Sequence, residues 1–169
     1  QLAAQIGVVF GQRSQLWWDL PLRDSFPVLA AMYRRPESAW RPRLEALTRG
    51  LQLDEFLDTP VRQLSLGQRM RGEVAAALLH EPELIILDEP TIGLDMISKE
   101  HLRAFLNEER RERGTTLFLT THDMSDVQRL CDGMGLIHEG RVRFVGAPHE
   151  LVAQTGAADL DEAFVAAVH

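Results

Sequence analysis

Two adjacent carboxylates, Asp88 and Glu89, follow the apolar run LIIL and precede Pro90. The continuous run predicts a strand buried on both faces. Because successive side chains of a strand point to opposite faces, we expect the two carboxylates to lie on different sides. We assign Asp88 to Mg²⁺, through a bridging water, and Glu89 to orienting or deprotonating an attacking water. The alternative is structural, since acids are common where the strands of parallel sheets end.

The run LSLGQ, residues 64–68, predicts the beginning of a helix. Ser65 with Gln68 three residues later is the capping-box pattern, in which each side chain bonds the backbone N–H of the other residue. The first N–H groups of a helix are unpaired and partly positive, so they favour phosphate. Gly67 would allow the backbone to approach closely. We predict a phosphate contact here, with simple capping by Ser65 as the alternative.

Three further polar residues lie where a strand or a turn ends. Gln12 could coordinate a cation with its amide oxygen, and His122, in LTTHD, could donate to a terminal phosphate oxygen. Asp95, in GLD, could cap the next helix or meet another subunit. The structural alternative is a solvated or locally bonded loop residue. The remaining histidines lack the spacing of metal ligands and receive no role: His80, His101, His138, His149 and His169.

The apolar pattern predicts the elements that position these residues. Strands are expected at residues 6–10, 84–88 and 115–121, and helices at residues 65–80 and 98–113. This alternation favours a mostly parallel sheet with right-handed crossovers. In such sheets, ligands bind beyond the carboxyl ends of the strands, where the polar residues above lie.

Other segments fall outside this alternation. Residues 24–58 are predicted to form a small helical lobe, which Pro27, Pro36 and Pro42 divide into short pieces. The remaining predictions are a helix at 124–131, a hairpin of strands 134–138 and 142–145, and closing helices within 147–169.

The composition excludes several classes of protein. With 169 residues, 45% of them apolar, the chain can bury one sizeable core. A net charge of -7 and a pI near 5.3 argue against a nucleic-acid partner. The one cysteine, Cys131, excludes an internal disulfide, and no apolar run is long enough to cross a bilayer. We therefore expect a soluble, cytoplasmic protein that meets a membrane only through a partner.

One phosphate-binding motif is missing from the sequence. The only lysine is Lys99, and none of the 12 glycines begins a G-x-x-x-x-G-K-[ST] loop. Such a loop cradles the phosphates of a nucleotide with its backbone N–H groups and its lysine. Since the chain opens directly in an apparent strand, we expect that an amino-terminal part of the domain is absent.

Together these motifs resemble those of the nucleotide-binding subunit of ABC transporters. Gln12 resembles the Q-loop glutamine, LSLGQ the signature motif, LIILDEP the Walker B strand, GLD the D-loop and His122 the switch histidine. The fixed order and spacing of these motifs make the resemblance specific. It covers essentially the whole chain but begins partway into the usual domain, after the Walker A loop. The runs FGQRSQLWWDLP and LSLGQRMR resemble the ABC-2-type branch, whose cassettes are separate from their membrane subunits.

The resemblance implies a P-loop NTPase-like α/β fold with a mostly parallel sheet, helices on both faces and a small helical subdomain. Residues 1–23 and 81–148 would form the catalytic core without its Walker A part. Residues 24–80 would form the helical subdomain ending in the signature helix, and residues 149–169 a C-terminal helical extension.

The resemblance also implies a composite site, in which ATP and Mg²⁺ lie between two cassettes of a homo- or heterodimer. The residues that would contact the nucleotide of the opposite cassette are Ser65, Gly67 and Gln68. The residues that would serve the cassette's own nucleotide are Gln12, Asp88, Glu89 and His122. Asp95 would act across the dimer interface.

The partner implied is an ABC-2-type membrane permease, which would dock on the helical lobe and the Q-loop. Of the neighbouring pair Trp17 and Trp18, we expect one in the core of the lobe and the other at this contact. The protein would be peripheral on the inner face of the cell membrane. Leu66 departs from the family pattern, because it stands where the signature motif usually has its first glycine.

The implied function is ATP hydrolysis that powers export through the permease. The 169 residues alone are expected to bind ATP poorly, because they contain no Walker A loop. Two alternatives stay open. One is an ABC-type ATPase outside transport, and the other is a catalytically inactive binding or regulatory module.

Overall fold

The computed structural model describes residues 2–11 and 13–168, and of residues 2 and 3 only the backbone. The chain divides into two compact units, residues 1–120 and 121–169. No helix in the described part of the chain combines the length and the apolar character that crossing a membrane requires.

The first unit contains a parallel sheet and the helices that connect its strands. Within its described residues, the strands are β1 (Ile6–Val9), β2 (Leu84–Asp88) and β3 (Thr116–Thr120), and the helices are α1 (Leu22–Met32), α2 (Glu37–Gly50), α3 (Leu66–Leu78) and α4 (Met96–Arg113). β2 lies in the middle and runs parallel to both neighbours. The predicted parallel α/β arrangement is therefore confirmed.

The register of the sheet sets which residues share its carboxyl edge. Leu84 pairs with Thr116 at the start of β2 and β3, so Asp88 pairs with Thr120 at their ends. On the other side of β2, α3 packs against β1 so closely that a Cβ on Gly7 would lie 2.4 Å from the carbonyl oxygen of Ala77. Only glycine fits at that approach.

β2 is less buried than the sequence predicted, since the prediction was a strand buried on both faces. Ile85 and Leu87 are fully buried, whereas Leu84 and Ile86, which point to the other face, are only half-buried. The described residues therefore cover one face of β2 completely and the other in part. A continuous apolar run does not distinguish these two situations, since it predicts only that water is disfavoured on both sides.

The helical lobe is divided at one proline rather than at three. Pro36 separates α1 from α2, as predicted, but Pro27 and Pro42 lie inside these helices. A proline inside a helix costs about 3 kcal/mol. The apolar face of α1 offsets this cost, because Leu22 and Phe26 are fully buried and each contributes about 1.5–3 kcal/mol. Burial in the folded lobe therefore overrides the local helix-breaking tendency.

A buried ion pair joins the lobe to α4. Arg43 of α2 donates to the carboxylate of Glu109 and, through Nε, to the carbonyl oxygen of Leu78 at 3.3 Å. The side chains of Arg43 and Glu109 are almost fully buried. Burial lowers the pKa of Arg43, and its hydrogen bond to Glu109 opposes this shift. The pair fixes α2 against the rest of the first unit.

The second unit consists of a hairpin and three helices within residues 121–168. Its elements are α5 (Met124–Leu130), β4 (Met134–His138), β5 (Arg141–Gly146), α6 (Pro148–Thr155) and α7 (Leu160–Val168). β4 and β5 are antiparallel, and the turn residues Glu139 and Gly140 both have positive φ. Such a turn matches the twist of a hairpin, so the predicted hairpin is confirmed. Leu136, Leu151 and Leu160 belong to the core of this unit.

Candidate functional site

The carboxyl ends of β2 and β3 bring Asp88 and Thr120 together. The Thr120 hydroxyl donates to Oδ1 of Asp88 at 2.6 Å, across paired positions of the sheet. Asp88 is exposed, and its Oδ2 accepts no hydrogen bond from the residues that the structure describes. Thr120 therefore fixes the carboxylate while leaving one oxygen available to a ligand. We call Asp88, Glu89 and Thr120 the acidic corner.

Glu89 follows directly after β2, which ends at Asp88 as predicted. That the two carboxylates lie on different sides therefore stays a prediction. The φ of Glu89 is 51°, in the left-handed region of backbone conformation that residues other than glycine seldom adopt. Its N–H donates to the carbonyl oxygen of Thr120 at 3.0 Å, and its carbonyl oxygen accepts from Ile92 at 3.2 Å. The half-buried Glu89 therefore lies in a turn directly after β2 and not in the pleat of the strand. Backbone strain of this kind is typical of functional sites.

The chain next to Gln12 lies against the acidic corner. An added Cβ on Gly11 would come within 3.1 Å of the carbonyl oxygen of Asp88. Gln12 itself lies outside the described residues, so its assignment to the cation stays a prediction. The close approach of Gly11 means that the Q-loop begins directly beside Asp88.

The acidic corner suits a magnesium ion that keeps most of its water ligands. The described residues contain no group of three or more His, Cys, Asp or Glu side chains that could enclose a metal ion. Mg²⁺ typically binds through one or two carboxylates together with phosphates and waters. Asp88 offers one such carboxylate oxygen, already oriented by Thr120, so the donor set fits this ion.

The predicted capping box at the start of α3 is confirmed. The backbone N–H of Gln68 donates to Oγ of Ser65 at 3.2 Å, and Oε1 of Gln68 accepts from the N–H of Ser65 at 2.9 Å. The Ser65 hydroxyl is thus an acceptor within its own helix, as the structural alternative required. It donates to no residue that the structure describes, so its hydrogen remains available to a phosphate oxygen.

The first turn of α3 packs on the turn before α4. A Cβ on Gly67 would lie 2.9 Å from Oγ of Ser98, so a larger residue would require the Ser98 side chain to move. Gly93, whose φ is 69°, faces the side chain of Leu66 across this contact. The leucine that replaces the usual glycine therefore packs on the D-loop of the same chain.

Asp95 caps α4, which was one of its two predicted interpretations. Its carboxylate accepts from the N–H of Ser98 at 2.9 Å and from the Ser98 hydroxyl at 2.6 Å. These hydrogen bonds, the hydroxyl contact first, lower the pKa of the exposed Asp95 carboxyl. A contact of Asp95 with a second subunit stays a prediction.

His122 belongs to the second unit, where it is exposed and follows β3. The next residue, Asp123, caps α5 by accepting from the N–H of Ser125 at 2.9 Å. His122 thus directly precedes the capped start of α5. Its contact with a terminal phosphate stays a prediction.

Trp17 and Trp18 are both exposed, with 38% and 50% of their surface accessible. The expectation that one of them packs in the core of the lobe is therefore wrong. The guanidinium of Arg69, on α3, lies 5.7 Å from the ring of Trp18. Trp18 and Arg69 line a cleft of about 290 Å³ together with Phe10 and Arg13. The buried side chains of the lobe include Leu22, Phe26 and Leu47 instead.

The sequence prediction missed three residues that the structure ties to the predicted motifs. Thr120 holds Asp88, Ser98 supports Gly67, and the buried Glu73 of α3 bonds the chain after Gln12. The one available indication was Glu73, an acid within the apolar face of α3. The partners of all three are distant in sequence, so spacing alone could not identify them.

A family model and the sequences of known proteins both relate this chain to ABC transporters. A family model described as ABC transporter matches residues 1–92, more than half of the chain. The ABC transporter ATP-binding protein NatA of Bacillus subtilis is 32% identical over 165 residues, which are 98% of this chain and 67% of that protein. The Nod factor export ATP-binding protein I of Ralstonia nicotianae is 34% identical over 164 residues, 95% of this chain and 49% of that protein.

A solved structure is similar over most of the chain. The structure of cbiO1 from Clostridium perfringens, part of the ABC transporter complex cbiONQ, superposes with a TM-score of 0.78 at 33% identity. The superposition covers 89% of this chain and 60% of that one. The chain thus spans about half to two thirds of the length of these relatives.

Proposed function

Because the chain belongs to the family of ABC transporter ATP-binding domains, we propose that it acts as the ATP-binding and ATP-hydrolysing subunit of an ABC-2-type transporter. It would power export through a separate membrane subunit. The observation that carries the proposal is the acidic corner, where Thr120 holds Asp88 and Glu89 follows in a left-handed turn. Export is supported by the similarity to a Nod factor export protein.

The acidic corner divides the chemistry between its two carboxylates. Asp88 would hold Mg²⁺ through a water, with Gln12 as a further oxygen ligand, and the ion would supply charge neutralisation at the phosphates. Glu89 would orient the attacking water and accept its proton. The water oxygen bonds the terminal phosphorus while the bond from that phosphorus to ADP breaks, so ADP leaves. His122 donates a hydrogen bond to the terminal phosphate, where negative charge builds up.

The proposed site is completed by a second cassette, either another copy or a different chain. The capped start of α3 presents unpaired N–H groups, the Ser65 hydroxyl and Gln68 to the nucleotide of the opposite cassette. Gly67 allows the backbone to approach the phosphates, and Asp95 acts across the interface. ATP binding would close the two cassettes, and hydrolysis would reopen them.

The proposed partner is an ABC-2-type permease that meets the first unit at the Q-loop and the lobe. The exposed Trp17 and Trp18 are candidates for this contact. The proposal includes the division into a catalytic core at 1–23 and 81–148, a helical subdomain at 24–80 and an extension at 149–169. It also includes a peripheral location on the inner face of the cell membrane.

The test is a Glu89→Gln substitution in the protein as its gene encodes it. The variant should bind MgATP as the wild type does but release phosphate at least about 10²-fold more slowly, because the base for the attacking water is lost. Turnover is measured by phosphate release and binding by calorimetry. Glu83→Gln is the matched control, since it removes the same charge from an exposed position just before β2.

Undiminished phosphate release by Glu89→Gln would contradict the assignment of the base. Absence of ATP hydrolysis by the wild type, with the membrane subunit present, would contradict the enzymatic proposal and favour a binding or regulatory module. ATP hydrolysis without a co-purifying membrane subunit would favour an ABC-type ATPase outside transport.

A further inference from the structure

Glu73 is a buried acid in the middle of the signature helix. It lies on α3 about two turns after Ser65, and only 4% of its surface is exposed. The residues next to it in the helix, Gly72 and Val74 to Ala77, are small or apolar and buried. A carboxylate in such surroundings is costly unless it is hydrogen-bonded.

The partners of Glu73 all come from the segment that follows Gln12. The Ser14 hydroxyl donates to Oε1 of Glu73, and the N–H of Gln15 donates to Oε2 at 3.3 Å. Nε2 of Gln15 also donates to the backbone carbonyl of Glu73 at 3.3 Å. The Ser14 hydroxyl in turn accepts from the N–H of Leu16 at 3.1 Å. Residues 14–16 are therefore held against α3 by hydrogen bonds to a single residue, Glu73.

No basic side chain lies within ion-pair distance of Glu73 in the described part of the chain. Burial raises the pKa of the Glu73 carboxyl, while the hydrogen bonds from Ser14 and Gln15 and the charge of Arg69 oppose this shift. An apolar residue would fill the same space without the desolvation cost. A buried carboxylate whose only partners belong to one loop is therefore better explained by the position of that loop than by stability.

Residues 14–16 connect two parts of the proposed site. At one end of the segment, Gly11 lies against the carbonyl oxygen of Asp88. At the other end, Glu73 belongs to the helix whose start is capped by Ser65. The described residues on the two sides of Gln12 thus contact the acidic corner at Gly11 and the signature helix at Ser14 and Gln15.

From these contacts we infer that Glu73 is a positioning residue, which holds the Q-loop in register with the signature helix so that both move as one body. Its effect on turnover rests on the proposed function, whereas the attachment of the loop rests on the contacts alone. Glu73 acts through Ser14 and Gln15, which place the Q-loop beside Asp88.

The first measurement is hydrogen exchange of the backbone amides in residues 13–18. Glu73→Met keeps the side-chain volume but removes both acceptor oxygens, so the Gln15 and Leu16 amides should exchange about tenfold faster or more. Glu73→Gln keeps one of the two acceptor oxygens. Exchange in residues 13–18 should therefore lie between that of the wild type and that of Glu73→Met. Ser14→Ala removes the acceptor for the N–H of Leu16, so the Leu16 amide should exchange faster than in the wild type.

The matched control is Glu109→Gln, which alters the other buried glutamate of the first unit. Glu109 pairs with Arg43 and makes no contact with residues 14–16. Its substitution lowers stability by breaking a buried pair, so it reveals any effect that follows from stability alone. Exchange in residues 13–18 should stay as in the wild type.

The second measurement separates kcat from KM for MgATP in the protein as its gene encodes it. Glu73→Met should lower kcat about tenfold or more, because the Q-loop is no longer fixed beside the reacting groups. KM should change less than about twofold, since Glu73 is buried and is bonded to Ser14 and Gln15. Glu73→Gln should restore part of kcat, and Glu109→Gln should leave kcat unchanged.

Unchanged exchange in Glu73→Met would overturn the attachment. Faster exchange with unchanged kcat would overturn the positioning role, as would an equal loss of kcat in Glu109→Gln. Faster exchange in Glu73→Met together with a wild type that hydrolyses no ATP would support the attachment and contradict the proposed function instead.

Discussion

At the scale of single residues, the acidic corner depends on one hydroxyl and one turn. Asp88 and Glu89 were identifiable in the sequence, because two acids after an apolar run form a local pattern. The role of Thr120 could not be identified in the sequence, because this residue lies on a neighbouring strand, 32 residues away from Asp88. The left-handed conformation of Glu89 was not predictable either. It is held by a hydrogen bond to the same distant residue.

The importance of the hydroxyl can be tested with Thr120→Val, which keeps the shape of the side chain but cannot hold Oδ1 of Asp88. We expect the Mg²⁺ concentration for half-maximal ATPase activity to rise about tenfold, because residues that orient a metal ligand typically contribute this much. Thr116→Val, at the other end of β3, is the control. Equal Mg²⁺ dependence in the two variants would show that Asp88 does not need this support.

At the scale of elements, local patterns were predictable and long-range contacts were not. The capping box of α3 and the turn of the β4–β5 hairpin are encoded within four or five residues, and both were predicted. The division of the lobe was wrong at Pro27 and Pro42, because burial of α1 and α2 outweighs the cost of a proline. The contacts of Gly67 and Glu73 also depend on distant segments.

His80 joins three elements of the first unit and should make its stability depend on pH. Its ring stacks on Tyr33 at 3.8 Å, and Nε2 bonds the carbonyl oxygen of Ile6 at 3.2 Å. Burial lowers the pKa of His80 below 6.5, aided by Arg35 and opposed by the bond to Ile6. Below pH 6.5 the unfolded chain binds a proton that the folded chain does not, so stability falls as pH decreases towards the folded pKa.

We therefore expect His80→Phe, which keeps the ring stacking, to lose this part of the pH dependence. Urea unfolding between pH 5 and pH 8 should give a flatter stability curve for the variant than for the wild type over the acidic part of the range. His101→Gln, at an exposed position of α4, should behave as the wild type does. A wild-type stability that does not fall below pH 6.5 would refute the assignment.

At the scale of the whole molecule, the proposed site is shared between two cassettes. The acidic corner lies at the carboxyl edge of the sheet, while the capped start of α3 packs on the turn before α4. Membership of the ABC family was predictable, because five short motifs stand in a fixed order. The assembly could not be derived from spacing, since the contacts that form it are made between chains.

The most direct test of a shared site uses mixed dimers of two differently tagged copies, with Glu89→Gln and Ser65→Arg as the substitutions. With one substitution in each copy, a site formed between cassettes leaves one of the two sites intact, so ATP turnover should be about half that of the wild type. With both substitutions in the same copy, both sites are damaged, and turnover should fall to background. The reverse result, activity only when both substitutions lie in one copy, would mean that each chain carries its own complete site and would contradict the account.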